Sequence, residues 1–228
     1  MPLTAVIQLL AYTLDMTQNA GQTVAVLGAG GGVGRQVVHQ LIQAGDTVRA
    51  LVRQQEQADA LEALGAVPVL GDLSGDWDAV LDGAAAVIWA AGAGTSGQFQ
   101  QIDGDALMRV TDRLSAGGPR RLIVVSSMGV DRPEQMPPFL SAVLRVKAVS
   151  DAYVQASGLE FTIVRPGGLT NEAGTGQVAV GLPAPRGMIS REDVASVVVA
   201  CLRDDSSVGK TFEVVAGTDP IQEALGRV

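Results

Sequence analysis

Thr23-Val24-Ala25-Val26-Leu27-Gly28-Ala29-Gly30-Gly31-Gly32-Val33-Gly34-Arg35-Gln36-Val37-Val38-His39-Gln40-Leu41 carries the decisive pattern. Five β-prone apolar residues run into a glycine-rich loop, and a helical stretch follows directly. The glycines fit Gly28-x-x-Gly31-x-x-Gly34 and equally Gly28-x-Gly30-x-x-x-Gly34. One glycine is needed for the tight turn, one for backbone to approach a pyrophosphate, and one for close helix–strand packing. The helix start then offers free N–H groups and a positive dipole end to phosphates. Gly28, Gly30, Gly31, Gly32, Val33 and Gly34 are therefore expected under a dinucleotide, and Arg35 follows as a nearby cation.

Outward from this loop, strand-like runs alternate with helix-period stretches. The expected strands are Thr23–Leu27, Thr47–Val52, Val67–Leu70, Ala86–Ala90, Arg121–Val125, Phe161–Val164 and Lys210–Val215. Helical patterns lie at Gly34–Ala44, Gln55–Leu64, Asp76–Leu81, Ile102–Ala116, Ser141–Ala156 and Arg191–Leu202. Strands apolar on both faces, such as Leu122-Ile123-Val124-Val125, call for helices on both sides of a parallel sheet. The expected fold is α/β: a Rossmann-type doubly wound parallel sheet with a small C-terminal substrate-covering part. Pro166–Gly187 breaks the alternation. Residues 21–228 are expected to form one domain and residues 1–20 an extension. Leu3, Val6, Ile7, Leu10 and Leu14 fall at helical spacing there. That segment packs on the domain or a partner subunit, lies at a membrane surface, or precedes a natural start at Met16. Too short to span a bilayer and without the marks of a secretory signal, it leaves a cytoplasmic location as the expectation.

Composition narrows the function. The 228 residues are 47% apolar and 18% charged, enough for one sizeable core. Sixteen Lys+Arg against 24 Asp+Glu give a net charge of −8, and aromatics make up only 4%, so a nucleic-acid partner is not expected. Membrane contact is not expected either. With one Cys and one His, the chain cannot form an internal disulfide or assemble a Cys/His zinc site. A Ser-His-Asp triad would have to use His39, inside an apolar helical stripe. No metal is expected.

The second strand bears on the cofactor. NAD sites place an acid ~20 residues past the loop, whereas here Arg53 ends the strand and the first acid is Glu56. Arg53 suits a 2′-phosphate, or is an ordinary solvated arginine. Asp72, just past the third strand, accepts from the adenine amine or makes an Asx-turn or N-cap; Leu73 follows it. Ala90, Ala91 and Gly92 let backbone run beside ribose and nicotinamide.

Those marks, with Val125-Ser126-Ser127-Met128-Gly129, Lys147, Ile163-Val164-Arg165-Pro166-Gly167-Gly168-Leu169 and Ile189-Ser190-Arg191-Glu192-Asp193-Val194-Ala195, cover about Thr23 to Val215. Over this span the chain resembles the atypical short-chain dehydrogenase/reductases. The relevant branch is NAD(P)H-binding and includes NmrA-like proteins and biliverdin-IXβ-reductase-like flavin reductases. Arg53 favours NADP over NAD as the cofactor, and Ser126 and Ser127, at the carboxyl end of the fifth strand, point toward the nicotinamide or satisfy backbone there. The resemblance implies that Lys147 holds the nicotinamide ribose, and that Pro166, Gly167 and Gly168 lie against the carboxamide. Ser127 and Lys147 are the candidate catalytic residues. Ser190 and Asp193 fit a capping box.

Ketone-reducing members use Tyr-x-x-x-Lys, in which the lysine lowers the tyrosine pKa. Val143 stands four residues before Lys147, and neither Tyr12 nor Tyr153 precedes a lysine at that spacing. The expected function is hydride transfer from NADPH to a small conjugated acceptor (flavin, quinone or carbonyl) without that acid. The alternative is a non-catalytic NADP-dependent redox-sensing or protein-interaction module. The partner is a small-molecule acceptor, under the loop 94–100 and the segment 171–188, and the chain is a monomer or homodimer.

Overall fold

The computed structural model describes residues 21–228, so the expectation for residues 1–20 lies outside the described residues. Strands β1 (Thr23–Leu27), β2 (Thr47–Val52), β3 (Val67–Leu70), β4 (Ala86–Trp89), β5 (Arg121–Val125), β6 (Glu160–Pro166) and β10 (Lys210–Ala216) are parallel. Two further strands, β8 (Gln177–Gly181) and β11 (Asp219–Pro220), extend the sheet antiparallel. The order among the nine described strands is β11-β8-β10-β6-β5-β4-β1-β2-β3. β7 (Gly168–Thr170) and β9 (Met188–Ser190) form a separate parallel pair.

The two-residue period of each strand sorts its side chains between two cores. Val24, Val26, Ala86, Ile88 and Ile123 join the core formed with α1 (Gly32–Gln43) and α5 (Arg191–Leu202). Ala25, Leu27, Val87, Trp89 and Leu122 join the opposite one, under α3 (Leu107–Ser115). α4 (Pro138–Ala156) lies over that face as well, through Val154. The helices α2 (Gln55–Glu62) and α6 (Ile221–Leu225) complete the layers. Because β1 lies between β2 and β4, successive connections leave toward opposite sides, which opens a crevice at the carboxyl ends of β1 and β4.

Several expectations are corrected. Asp76–Leu81 is only a 3₁₀ turn at Asp78–Leu81, because glycines at 75 and 83 flank too short a run for a helix. The pattern at Ile102–Ala116 begins as a π-helical turn, Gln100–Ala106, before α3. Pro166–Gly187 is partly ordered as β7 and β8. His39 is on α1 but exposed, next to the Gln43 amide, not in an apolar stripe. The Ser190 hydroxyl caps α5 as expected, accepting from Asp193 N–H at 2.9 Å.

Candidate functional site

The crevice forms a cleft of about 260 Å³ whose floor is the glycine loop. Gly28 has φ +90°, and a Cβ there would meet Ala91 N at 2.5 Å, so loop and β4 touch backbone to backbone. At Gly34 an added Cβ would strike the Gly28 carbonyl oxygen, which makes Gly34 the close-packing glycine. Gly31 differs: its Cβ would have only Gly28 O at 3.3 Å and Ala90 O at 4.0 Å nearby. That open direction and the start of α1, which has no side-chain cap and no acid in its first turn, form a cradle suited to phosphate. The residues present fit a dinucleotide.

Gly28, Gly30, Gly31, Arg53, Asp72, Leu73, Ala90, Ala91 and Gly92 line the cleft. Arg53 is exposed at its mouth, close enough to Asp72 for its charge to act on that carboxyl. Asp72 Oδ1 accepts from Ser74 N–H at 2.7 Å and from the Ser74 hydroxyl at 2.5 Å, an Asx-turn that holds its pKa below the ordinary value. Gly32, Val33, Gly34 and Arg35 do not line it. Val33 is core, Arg35 is exposed, and a Cβ at Gly32 would meet the Arg191 side chain at 2.7 Å.

Beyond Gly92, the polar residues near the ends of β4, β5 and β6 bond to one another. Ser126 donates its hydroxyl to Asp151 Oδ2 at 2.9 Å, and Arg165 Nε donates to the same oxygen at 2.9 Å. Burial pushes the Asp151 carboxyl above its ordinary range, although Arg165, Ser126 and Lys147 pull it down. Its Oδ1 is buried with no partner among the described residues. Lys147 Nζ lies 2.8 Å from Asp103 Oδ1. Ser127 makes only a long contact, 3.4 Å, to the Met128 carbonyl. Gly167 and Gly168 donate their amides to Val214 O and Gly187 O at 2.9 and 3.0 Å, and Met128 N–H donates to Pro166 O at 2.9 Å. That backbone is engaged within the protein, and a Cβ at either glycine would strike the 187–188 strand.

Three contributors escaped the sequence reading. Gln57, one turn beyond Arg53, lies across Gly30. Arg191 lies across Gly32, its guanidinium donating to Asn171 Oδ1 at 2.7 Å. Asp103, 2% exposed, sits in the π-helical turn. Only Asp103 carried a signal, as an acid set among apolar and small residues beside Ile102 and Gly104.

A family model described as NAD(P)H-binding matches residues 28–205. The chain belongs to the NAD(P)H-binding family. Its family relatives include the uncharacterized sugar epimerase YhfK of Bacillus subtilis, 36% identical over 90% of this chain and 99% of that protein. Sanguinarine reductase of Eschscholzia californica is 29% identical over 56% of this chain and 50% of its own length. A solved Bacillus halodurans structure, assigned by name to the NAD-dependent epimerase/dehydratase class, superposes with TM-score 0.87 at 34% identity. It covers 91% of this chain and 100% of that one.

This NAD(P)H-binding protein is thus of the atypical short-chain dehydrogenase/reductase type that its motifs resemble. In it the helix face that carries Lys147 presents Val143, half-buried, one turn earlier. Tyr153 is on the same helix but exposed, its hydroxyl donating to Asp112 at 2.6 Å on α3. Among the described residues no tyrosine stands beside the lysine. No described helix is long and apolar enough to cross a membrane.

Proposed function

We propose that the chain is an NADP(H)-dependent reductase that passes hydride to a small conjugated acceptor: a flavin, a quinone or a carbonyl. The observation that carries this reading is the pairing of a complete nucleotide cradle with a lysine lacking its tyrosine. Bound NADPH supplies the hydride, and acceptors of this class take their proton from water. The protein's part is to hold donor and acceptor together: Gly28–Gly31 under the phosphates, Arg53 at the 2′-phosphate, Ala90–Gly92 along the ribose. Lys147 holds the nicotinamide ribose hydroxyls, and for a carbonyl acceptor Ser127 and Lys147 arrange a water as the proton relay. Among the described residues no tyrosine stands beside Lys147, which argues against the epimerase chemistry named in YhfK. Residues 21–228 act as one domain, in the cytoplasm.

A second reading, an NADP-dependent sensing module without turnover, draws on one observation. Ser126 and Lys147 both bond inside the protein, to Asp151 and Asp103. Stopped-flow absorbance separates the two. Bound NADPH is mixed with FMN, a quinone panel and small aldehydes, and at least one acceptor should oxidise it faster than free NADPH reacts. If none does, the reductase reading fails and the sensing module stands.

A further inference from the structure

Asp103 is a buried carboxylate in an unusual place. It lies in a π-helical turn whose wide backbone is pinned by Ser150, the hydroxyl of which donates to the Asp103 carbonyl at 2.8 Å. The next residue, Gly104, has no room for a Cβ, which would meet Val146 Cγ1 at 2.9 Å. The turn is therefore pressed onto α4, and π turns are often retained where a side chain must be aimed.

Both carboxylate oxygens are used. Oδ2 accepts the Ala93 N–H at 3.0 Å, and Oδ1 faces the Lys147 ammonium at 2.8 Å. Ala93 and Gly92 line the cleft, and a Cβ at Gly92 would come within 3.2 Å of Asp103 Oδ1. One carboxylate thus ties the loop after β4 to the helix that carries the lysine. Removing a carboxylate from water is costly unless it is paired and hydrogen-bonded, and here it is both. An ammonium has three donors, and Lys147 retains 14% exposure, so donors remain beyond the one on Asp103.

We infer that Asp103 is a positioning residue: shared between Lys147 and the Ala93 amide, it holds the ammonium at the inner end of the cleft, aimed at the nicotinamide ribose hydroxyls. The inference rests on the proposed cofactor reading, and it assigns Asp103 to the nicotinamide half of the ligand alone.

The test compares NADPH with 2′,5′-ADP, which lacks the nicotinamide ribose, by titration calorimetry. In Asp103→Asn, NADPH affinity should fall on the order of tenfold while 2′,5′-ADP affinity stays within about twofold of wild type. A purely structural role would weaken both alike, and equal losses overturn the inference. Wild-type protein that binds neither probe defeats the cofactor reading instead, so the two failures are distinct. A second readout needs no ligand. Lys147 and Lys210 are the chain's lysines, so a Lys210→Arg background leaves one ¹⁵Nζ ammonium resonance. The ion pair should protect it from solvent exchange, and Asp103→Asn should abolish that protection. An unchanged resonance overturns the inference. Asp103→Glu keeps the charge and displaces it by a methylene. It should restore the protected resonance and part of the NADPH affinity, and it carries the test if the Asn variant does not fold. If Asp103→Glu weakens both probes equally, the inference likewise fails.

Discussion

At the residue scale, the glycines of this chain do two kinds of work that look identical in sequence. Gly31 faces the cleft through an open Cβ direction, whereas Gly28 lines it at a positive φ with β4 backbone already against its Cβ position. Gly34, Gly167 and Gly168 are glycine because protein atoms already occupy the Cβ position. A motif records that a side chain is forbidden, not what forbids it. Arg53 is the residue on which the nucleotide preference turns. It is exposed and makes no ion pair among the described residues. Arg53→Ala should weaken NADPH binding roughly tenfold, since a charge-assisted phosphate contact at an exposed site is partly screened. NADH binding should be almost unchanged. Fluorescence titration with both nucleotides checks this, and equal losses would remove the 2′-phosphate assignment.

At the scale of elements, the parallel strands were readable almost to the residue, because a strand buried on both faces must be apolar throughout. The short strands β7, β8 and β9 were not. Their apolar runs are three residues at most, as in Val178-Ala179-Val180, and they exist through partners, as β8 does against Val214–Ala216. One carboxylate organises that region. Glu213 on β10 is fully buried and accepts from Gly129 N–H and Ala184 N–H at 2.9 Å each and from the Arg132 guanidinium at 2.8 Å. Burial alone would raise its pKa, but Arg132 and the two amides hold it below the ordinary 4.5. A depressed carboxyl stabilises the fold above its unfolded pKa, and the benefit is lost as pH falls through the folded value. Glu213→Gln should therefore cost about 2–3 kcal/mol at pH 7 and flatten the loss of stability below pH 4.5. Urea melts across pH 3–7 measure both effects. An acid limb as steep as that of the wild type would remove Glu213 as its cause.

At the scale of the whole molecule, the Rossmann order was legible from the alternation of strand and helix, whereas the antiparallel extension past β10 was not. The pairing of α1 with α5 ties the two ends of the described chain together. Val33, Val37, Val38 and Leu41 share one core with Val194, Val197 and Val198, and the Gln40 amide donates to Glu192 O at 3.1 Å. Deleting the residues after Gly187 would bare those α1 side chains, at roughly 1.5–3 kcal/mol each, a sum comparable to the stability of a typical domain. The truncated chain should lose cooperative thermal unfolding by circular dichroism, and it should not retain 2′,5′-ADP. A sharp transition at the full-length midpoint would show that α1 is supported without α5. The dependence has a temporal side. The phosphate cradle leaves the ribosome well before its buttress, which is about 150 residues downstream, so nucleotide capture waits until α5 has been made.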